Sequence, residues 1–321
     1  MRILVTGATG FVMSALVREL AGRGHAVAAA DLKPPDEALR RYLTDQPGAV
    51  SFHQVDVRDA DAVAALVRET RPERTVHGAA ITAIPAEAER ARFTETVAVN
   101  AMGTLHALDA LRAAGPGRIV VISSGAVYGP RPDLAPITED DPKAPEGVYA
   151  TTKWMADTLA RRYAAVHGLD LAVVRLASPF GPFERDTGSR PLLSPPWHWT
   201  RAALRAEPIV VPGPPVPRDM IHVDDIAGGI AAVLLADRLP HDAYHVGWGR
   251  TTTPREALDA LGALVPGLRV EYRPAEPLGW PVTVRGPLVV DRLRTDLGWR
   301  PRHDLASGLA AYLDWLRRAG A

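Results

Sequence analysis

The chain has 321 residues, 47% hydrophobic and 23% charged, with 37 basic and 37 acidic side chains and no cysteine. That length buries a substantial core, and the balanced charge gives no ground for nucleic-acid or membrane-surface binding. The lack of cysteine excludes disulfides, thiolate metal sites and a cysteine nucleophile. No charged leader precedes the first apolar run and no apolar run is long enough to span a membrane, so a cytoplasmic protein is expected.

In chain order, short β-branched runs at 2–5, 26–30, 50–55, 75–77, 118–123 and 171–175 read as strands. Between them, apolar residues recur at helical spacing over 12–21, 60–69, 93–114 and 148–166, with stops at Gly22, Arg71-Pro72, Gly115 and Gly168. This alternation predicts βα units around a parallel sheet. Residues 178–218 are crowded with Pro, Gly, Arg and Trp and read as loop, with one helix at 199–206. Helices at 225–235 and 254–264 flank a strand at 244–246, and 305–318 reads as an amphipathic closing helix.

The turn after the first strand reads TGATGFVMSAL from Thr6 to Leu16. Gly7 and Gly10 let backbone N–H groups approach phosphates, and the helix opened by Phe11 and Val12 presents its positive end to them. Asp31 ends the second strand about 20 residues on, the place for a carboxylate that binds an adenosine ribose hydroxyl and repels a 2′-phosphate. NAD is therefore expected over NADP, with Lys33 as a counter-signal. Met13 occupies the third glycine position, which serves close packing of helix on strand. It is expected to crowd the cofactor's edge, so that Met13→Gly would tighten binding.

Together these features predict an α/β fold with a Rossmann-type doubly wound parallel sheet, strand order 3-2-1-4-5-6 plus a seventh strand, and a smaller C-terminal substrate-binding domain. Residues 1–175, rejoined by 219–250, are the NAD-binding part, and 176–321 otherwise the substrate part.

A second constellation pairs SSGAVYG, from Ser123 to Gly129, with Tyr149 and Lys153 in YATTK. Four residues apart on a helix, Tyr149 and Lys153 share a face, where the ammonium stabilises a phenolate. Ser124 at a strand end would hold the substrate oxygen while Tyr149 takes a hydroxyl proton.

With these residues, VDVRD around Asp56, HGAA at 77–80, Asn100 in VNAMGT, RDMIHVDD at 218–225 and LGWRP at 297–301, the chain resembles the extended short-chain dehydrogenase/reductases. The resemblance is to their NAD-dependent epimerase/dehydratase family, and it runs over essentially the whole length. It implies that Asp56 and Val57 flank the adenine, that Ala79, Ala80 and Ile81 line the cofactor cleft, and that Asn100 supports it from the core. It further implies that Ser124, Tyr149 and Lys153 do the chemistry and that Arg218 and Arg285 bind a diphosphate.

Ser178 stands where nucleotide-sugar members usually place an asparagine, and no acidic pair follows Ser124 to drive elimination of water. Arg190, or Arg185, is a candidate clamp for a carboxylate or phosphate. Trp197, His198 or Trp199 could stack on a ring or simply pack. No metal-ligand spacing surrounds His198, so no metal is expected.

Two enzyme readings remain: a nucleotide-sugar 4-epimerase working by transient oxidation to a ketone, and a dehydrogenase of a free sugar, uronic acid or hydroxy acid that releases NADH. A non-catalytic NAD-binding protein is a third. A homodimer through a four-helix bundle is expected from the resemblance.

Overall fold

A computed structural model describes residues 1–44, 46–83, 85–115, 117–276 and 283–320. The first half runs β1 (Arg2–Thr6), α1 (Phe11–Gly22), β2 (Ala26–Asp31), α2 (Glu37–Tyr42), β3 (Val50–Gln54), α3 (Ala60–Thr70), β4 (Arg74–His77) and α4 (Ala86–Val97). It continues with α5 (Gly103–Ala114), β5 (Ile119–Ser124), α6 (Gly147–His167) and β6 (Leu171–Leu176). The second half comprises β7 (Ser178–Phe180), α7 (Pro195–Leu204), β8 (Ile209–Pro212), β9 (Met220–His222), α8 (Val223–Leu235) and β10 (Ala243–Val246). After these come α9 (Pro254–Leu264), β11 (Val270–Arg273), α10 (Asp291–Leu297) and α11 (Leu305–Ala319).

Seven strands form one parallel sheet in the order β10-β6-β5-β4-β1-β2-β3, the expected order with β10 as the seventh strand. The central strands are continuous apolar runs because both faces are covered. On one face, Ile3, Val5, Val120 and Val174 pack with α1 and α8; on the other, Leu4, Val121 and Val173 pack with α3, α5 and α6. A separate core gathers Trp199, Ile209, Leu258, Leu309, Tyr312 and Leu316 from the second half. Among the described residues no helix is long and apolar enough to cross a membrane.

The helix expected at 93–114 begins seven residues earlier, at Ala86, and passes through a π-helical turn at Ala98–Met102 before α5. Its first turns carry little apolar periodicity, so the pattern did not reveal them; the Arg92–Glu95 ion pair and its neighbours hold a polar face instead. The helix α7 starts at Pro195, not 199, because Ser194 caps it by accepting the Trp197 N–H and proline occupies the first turn. Short α2, α10, β7, β8, β9 and β11 were not legible as elements. Chain reversal from the β1–β2–β3 side to β4 leaves a crevice at the carboxyl ends of β1 and β4, the switch point where ligands bind such sheets.

Candidate active site

At that switch point lies a cavity of about 830 Å³. Gly7, at φ 72°, turns the chain from β1 towards α1, and a Cβ there would come within 2.7 Å of the Ala79 backbone nitrogen. Only glycine fits, so β1 and the β4 exit close into one cradle. Gly10, Phe11 and Val12 line it at the α1 N-terminus, whose first turn carries no acidic residue.

Asp31 accepts the Thr9 N–H (2.9 Å) and lines the cavity at the end of β2. The Lys33 ammonium, the counter-signal for a 2′-phosphate, donates to the Thr187 carbonyl (2.9 Å). A glycine cradle, a helix N-terminus and a ribose-end carboxylate with its neighbouring cation already engaged fit NAD. Asp56 and Val57, Ala79, Ala80 and Ile81 also line the cavity. The Arg58 guanidinium holds the Asp56 carboxyl below its usual range. Asn100 lies behind the wall: its Oδ1 accepts the Ile81 N–H (2.8 Å), and its Nδ2 donates to the Ile81 carbonyl and Thr152 Oγ1 (both 2.9 Å). It ties the cleft wall to α6 without reaching the cavity.

Met13 is 4% exposed and packed in the sheet core. Opposite it, a Cβ on Gly78 would lie 2.3 Å from Met13 Sδ and 2.7 Å from its Cγ. The thioether occupies the room that a side chain at 78 would take. The missing third glycine is therefore matched by a glycine on β4's exit, a pairing hidden in the sequence because the two are 65 positions apart.

At the opposite end, Ser124 closes β5, its Oγ accepting the Ala126 N–H (3.1 Å) to cap the 3-10 turn Gly125–Tyr128. Tyr149 sits half-buried in the first turn of α6, facing Ser124. Burial pushes its phenol up, while the Ser124 hydroxyl and then the Arg190 and Arg285 charges pull it back down. One turn on, Lys153 is buried, and desolvation pulls its ammonium down to about 8 against the opposing pull of Asp157. Asp157 is held in turn by fully buried Arg175 (2.8 and 3.2 Å), which also donates to Tyr128 Oη (2.8 Å). A buried charge pair beneath the reactive helix thus fixes Asp157 under Lys153.

Ser178, Arg190, Arg218 and Arg285 line the same cavity. Arg190 is already engaged by the buried Glu184 carboxylate (2.6 Å) and lies over the Phe11 ring (5.2 Å). Arg185, the other candidate clamp, turns away to pair with Asp36. Among the described residues, neither Arg218 nor Arg285 has a side-chain hydrogen bond or ion pair, and desolvation, with Arg218 acting on Arg285, pulls both below the usual arginine range. An apolar annex of about 320 Å³ adjoins the cavity at Arg218 and Met220, walled by Trp199, Ile209 and Val211.

His222, Asp224 and His303 also bring potential ligand atoms within 4.8 Å of one another. His222 Nδ1, however, accepts the Asp224 N–H (3.3 Å) as the cap of α8, which gives that ring a structural task.

A doubly wound sheet whose switch point joins a dinucleotide cradle to a Ser-Tyr-Lys group defines an NAD-dependent enzyme of the extended short-chain dehydrogenase/reductase type. The chain belongs to the NAD dependent epimerase/dehydratase family, whose model matches residues 3–247. It is 31% identical to the UDP-glucose 4-epimerase of Mycolicibacterium smegmatis, covering 99% of both chains. It is also 31% identical to a dTDP-glucose 4,6-dehydratase of Streptomyces antibioticus, covering 99% of this chain and 92% of that one. Its structure is similar to UDP-glucose-4-epimerase from Stenotrophomonas maltophila with bound NAD and formylated UDP-arabinopyranose: TM-score 0.87, 27% identity, 100% of this chain and 99% of that one.

Proposed function

We propose that the protein is a 4-epimerase of a nucleotide sugar. The observation that carries this reading is that Arg218 and Arg285, with no side-chain hydrogen bond or ion pair among the described residues, lie in the same cavity as Ser124, Tyr149 and Lys153. Two such charges suit a diphosphate, and the apolar annex beside Arg218 suits the flat base of a nucleotide. Gly7, Gly10, Asp31 and the β4 exit would hold NAD, which supplies a reversible hydride acceptor next to the sugar carbon.

The Ser124 hydroxyl would hold the sugar oxygen; the Tyr149 phenolate, stabilised by the Lys153 ammonium, takes the hydroxyl proton, stays a neutral phenol while the sugar is a ketone, and then returns the proton, which restores the phenolate. Among the described cavity residues the carboxylates are Asp31, Asp56 and Glu95, all at the adenosine end or on α4. None stands beside Tyr149 to protonate a leaving hydroxyl, which favours epimerisation over the dehydration performed by other relatives. Arg185's engagement elsewhere, and Arg190's with Glu184, disfavour the free-acid dehydrogenase reading.

The test is incubation of the purified enzyme with UDP- and dTDP-hexoses, without added cofactor, followed by chromatography. Interconversion of 4-epimers is expected; stoichiometric NADH or a dehydrated product would overturn the reading. Arg218→Ala and Arg285→Ala should each raise KM about 10- to 100-fold, the range for a lost charge-assisted hydrogen bond.

We also propose a homodimer through the outward faces of α4, α5 and α6. Phe93, Met102, Met155, Leu159 and Val166 are large apolar side chains left exposed on or between these helices. Light scattering should return twice the 34.5 kDa chain mass, and a monomer at micromolar concentration would refute the assembly.

A further inference from the structure

We infer that residues 184–190 form a strap that closes across the cofactor cavity and makes NAD a resident of the enzyme, an inference that rests on the NAD reading of that cavity. The strap's near end is moored outside the cavity. Phe183, held at φ 68°, stacks on Tyr42 of α2 (4.9 Å between ring centroids, 11° between planes). The Arg185 guanidinium covers the other ring, Phe183, at 4.2 Å and pairs with Asp36, the cap of α2.

Three consecutive carbonyls then accept hydrogen bonds from three different parts of the cleft. Thr187 accepts from Lys33 Nζ beyond β2 (2.9 Å), and Gly188 from Arg92 Nη1 on α4 (2.8 Å). Ser189 accepts from both the N–H (2.8 Å) and the hydroxyl (3.1 Å) of Thr82, beyond β4. At the far end Arg190 lies over Phe11 at the mouth of α1 and is anchored by Glu184, which is 1% exposed and also accepts from the Ser194 N–H (2.8 Å).

Residues 187–190 themselves line the cavity, as do Phe11, Lys33, Thr82 and Arg92 facing them. The segment therefore bridges both walls of the crevice, and a dinucleotide lying in it cannot enter or leave until these bonds open. An enzyme that returns hydride to the molecule that gave it has no need to exchange its cofactor, whereas one that releases NADH must open every turnover. The strap also assigns tasks to Lys33, Arg92 and Arg185 that the reaction itself does not use.

The experiment uses the full-length enzyme as purified. NAD per protomer is measured after denaturation, and NAD association and dissociation are followed by tryptophan fluorescence, with no sugar present. Two variants are compared: Lys33→Ala/Arg92→Ala, which removes two pins, and Arg185→Ala, which loosens the mooring at a residue outside the cavity wall. Wild type should carry close to one NAD per protomer through desalting. Both variants should lose it at least about tenfold faster, and both should bind added NAD faster, because a strap gates both directions.

Faster dissociation with unchanged association would mean lost contacts only and would overturn the strap, as would a wild type that sheds NAD on desalting. NAD retained by wild type, and both shed and rebound faster by the variants, upholds the strap even if no nucleotide sugar is interconverted. Interconversion by a wild type that needs added NAD would uphold the epimerase and sink the strap.

Discussion

Tyr149→Phe is expected to reduce turnover about 10³-fold while leaving the bound NAD in place. In the proposed mechanism the phenol facing Ser124 is the acid–base group, and a positioned acid–base contributes about 10²–10⁴ in rate. Its ring packs in the first turn of α6, and phenylalanine keeps that packing. The variant should therefore fold normally, hold as much NAD as wild type on denaturation and assay, and fail to interconvert substrate. Full activity would remove Tyr149 from the mechanism. The wild-type pH profile is a second reading of the same group. Lys153, drawn down to about 8 by burial, carries its charge below that pH and loses it above. The ammonium is the form that stabilises the phenolate, so turnover should fall as pH rises through about 8, and a profile level to pH 10 would exclude Lys153 from that role.

Gly78→Ala is expected to weaken NAD binding at least about tenfold with little change in melting temperature. The added methyl would meet the Met13 thioether at 2.3 Å, and a methionine side chain can swing aside. The open space beside it is the cofactor cavity, which Met13 and Gly78 both line. Met13→Gly alone should not tighten NAD, as the glycine fingerprint by itself suggests. It empties a core position and should cost about 2–5 kcal/mol in stability, by analogy with methionine-to-alanine truncations. Combining Gly78→Leu with Met13→Gly should recover NAD affinity and much of the stability lost by either single change. Calorimetric titration with NAD and thermal melts on wild type, Met13→Gly, Gly78→Leu and the double variant complete the cycle. Additive losses in the double variant would show that the two positions do not share one space.

Much of this was written locally. Runs such as Ile3-Leu4-Val5 and Ile119 to Ile122 are apolar without alternation, which only a doubly covered parallel strand requires, and glycine stops bounded the helices between them. The turn at Gly7, the carboxylate of Asp31 and the four-residue spacing of Tyr149 and Lys153 are also local, because each lies within one βα unit or one helix turn. From these the sheet order and the cofactor followed, and the same spacing is what the proposed reactive group rests on. The polar first turns of α4 were missed because their helix rests on charge pairs and on packing against α6, not on an apolar stripe. Arg190 and Arg185 looked alike as free clamps in sequence; which of the arginines stay unpaired depends on where Glu184 and Asp36 fall in space.

The sequence by itself thus determined the parallel sheet and the dinucleotide site, since short-range periodicity and spacing encode them directly, while the family followed from the motifs that the chain shares with it. Only the tertiary structure decided that Arg218 and Arg285 face the cavity with no side-chain hydrogen bond or ion pair among the described residues, that Gly78 makes room for Met13, and that Lys33 donates to the Thr187 carbonyl. Each of those facts is a meeting of residues far apart in the chain. Whether a charge is spent on a neighbour or left for a ligand is settled by the folded packing that brings them together, and no local pattern records it.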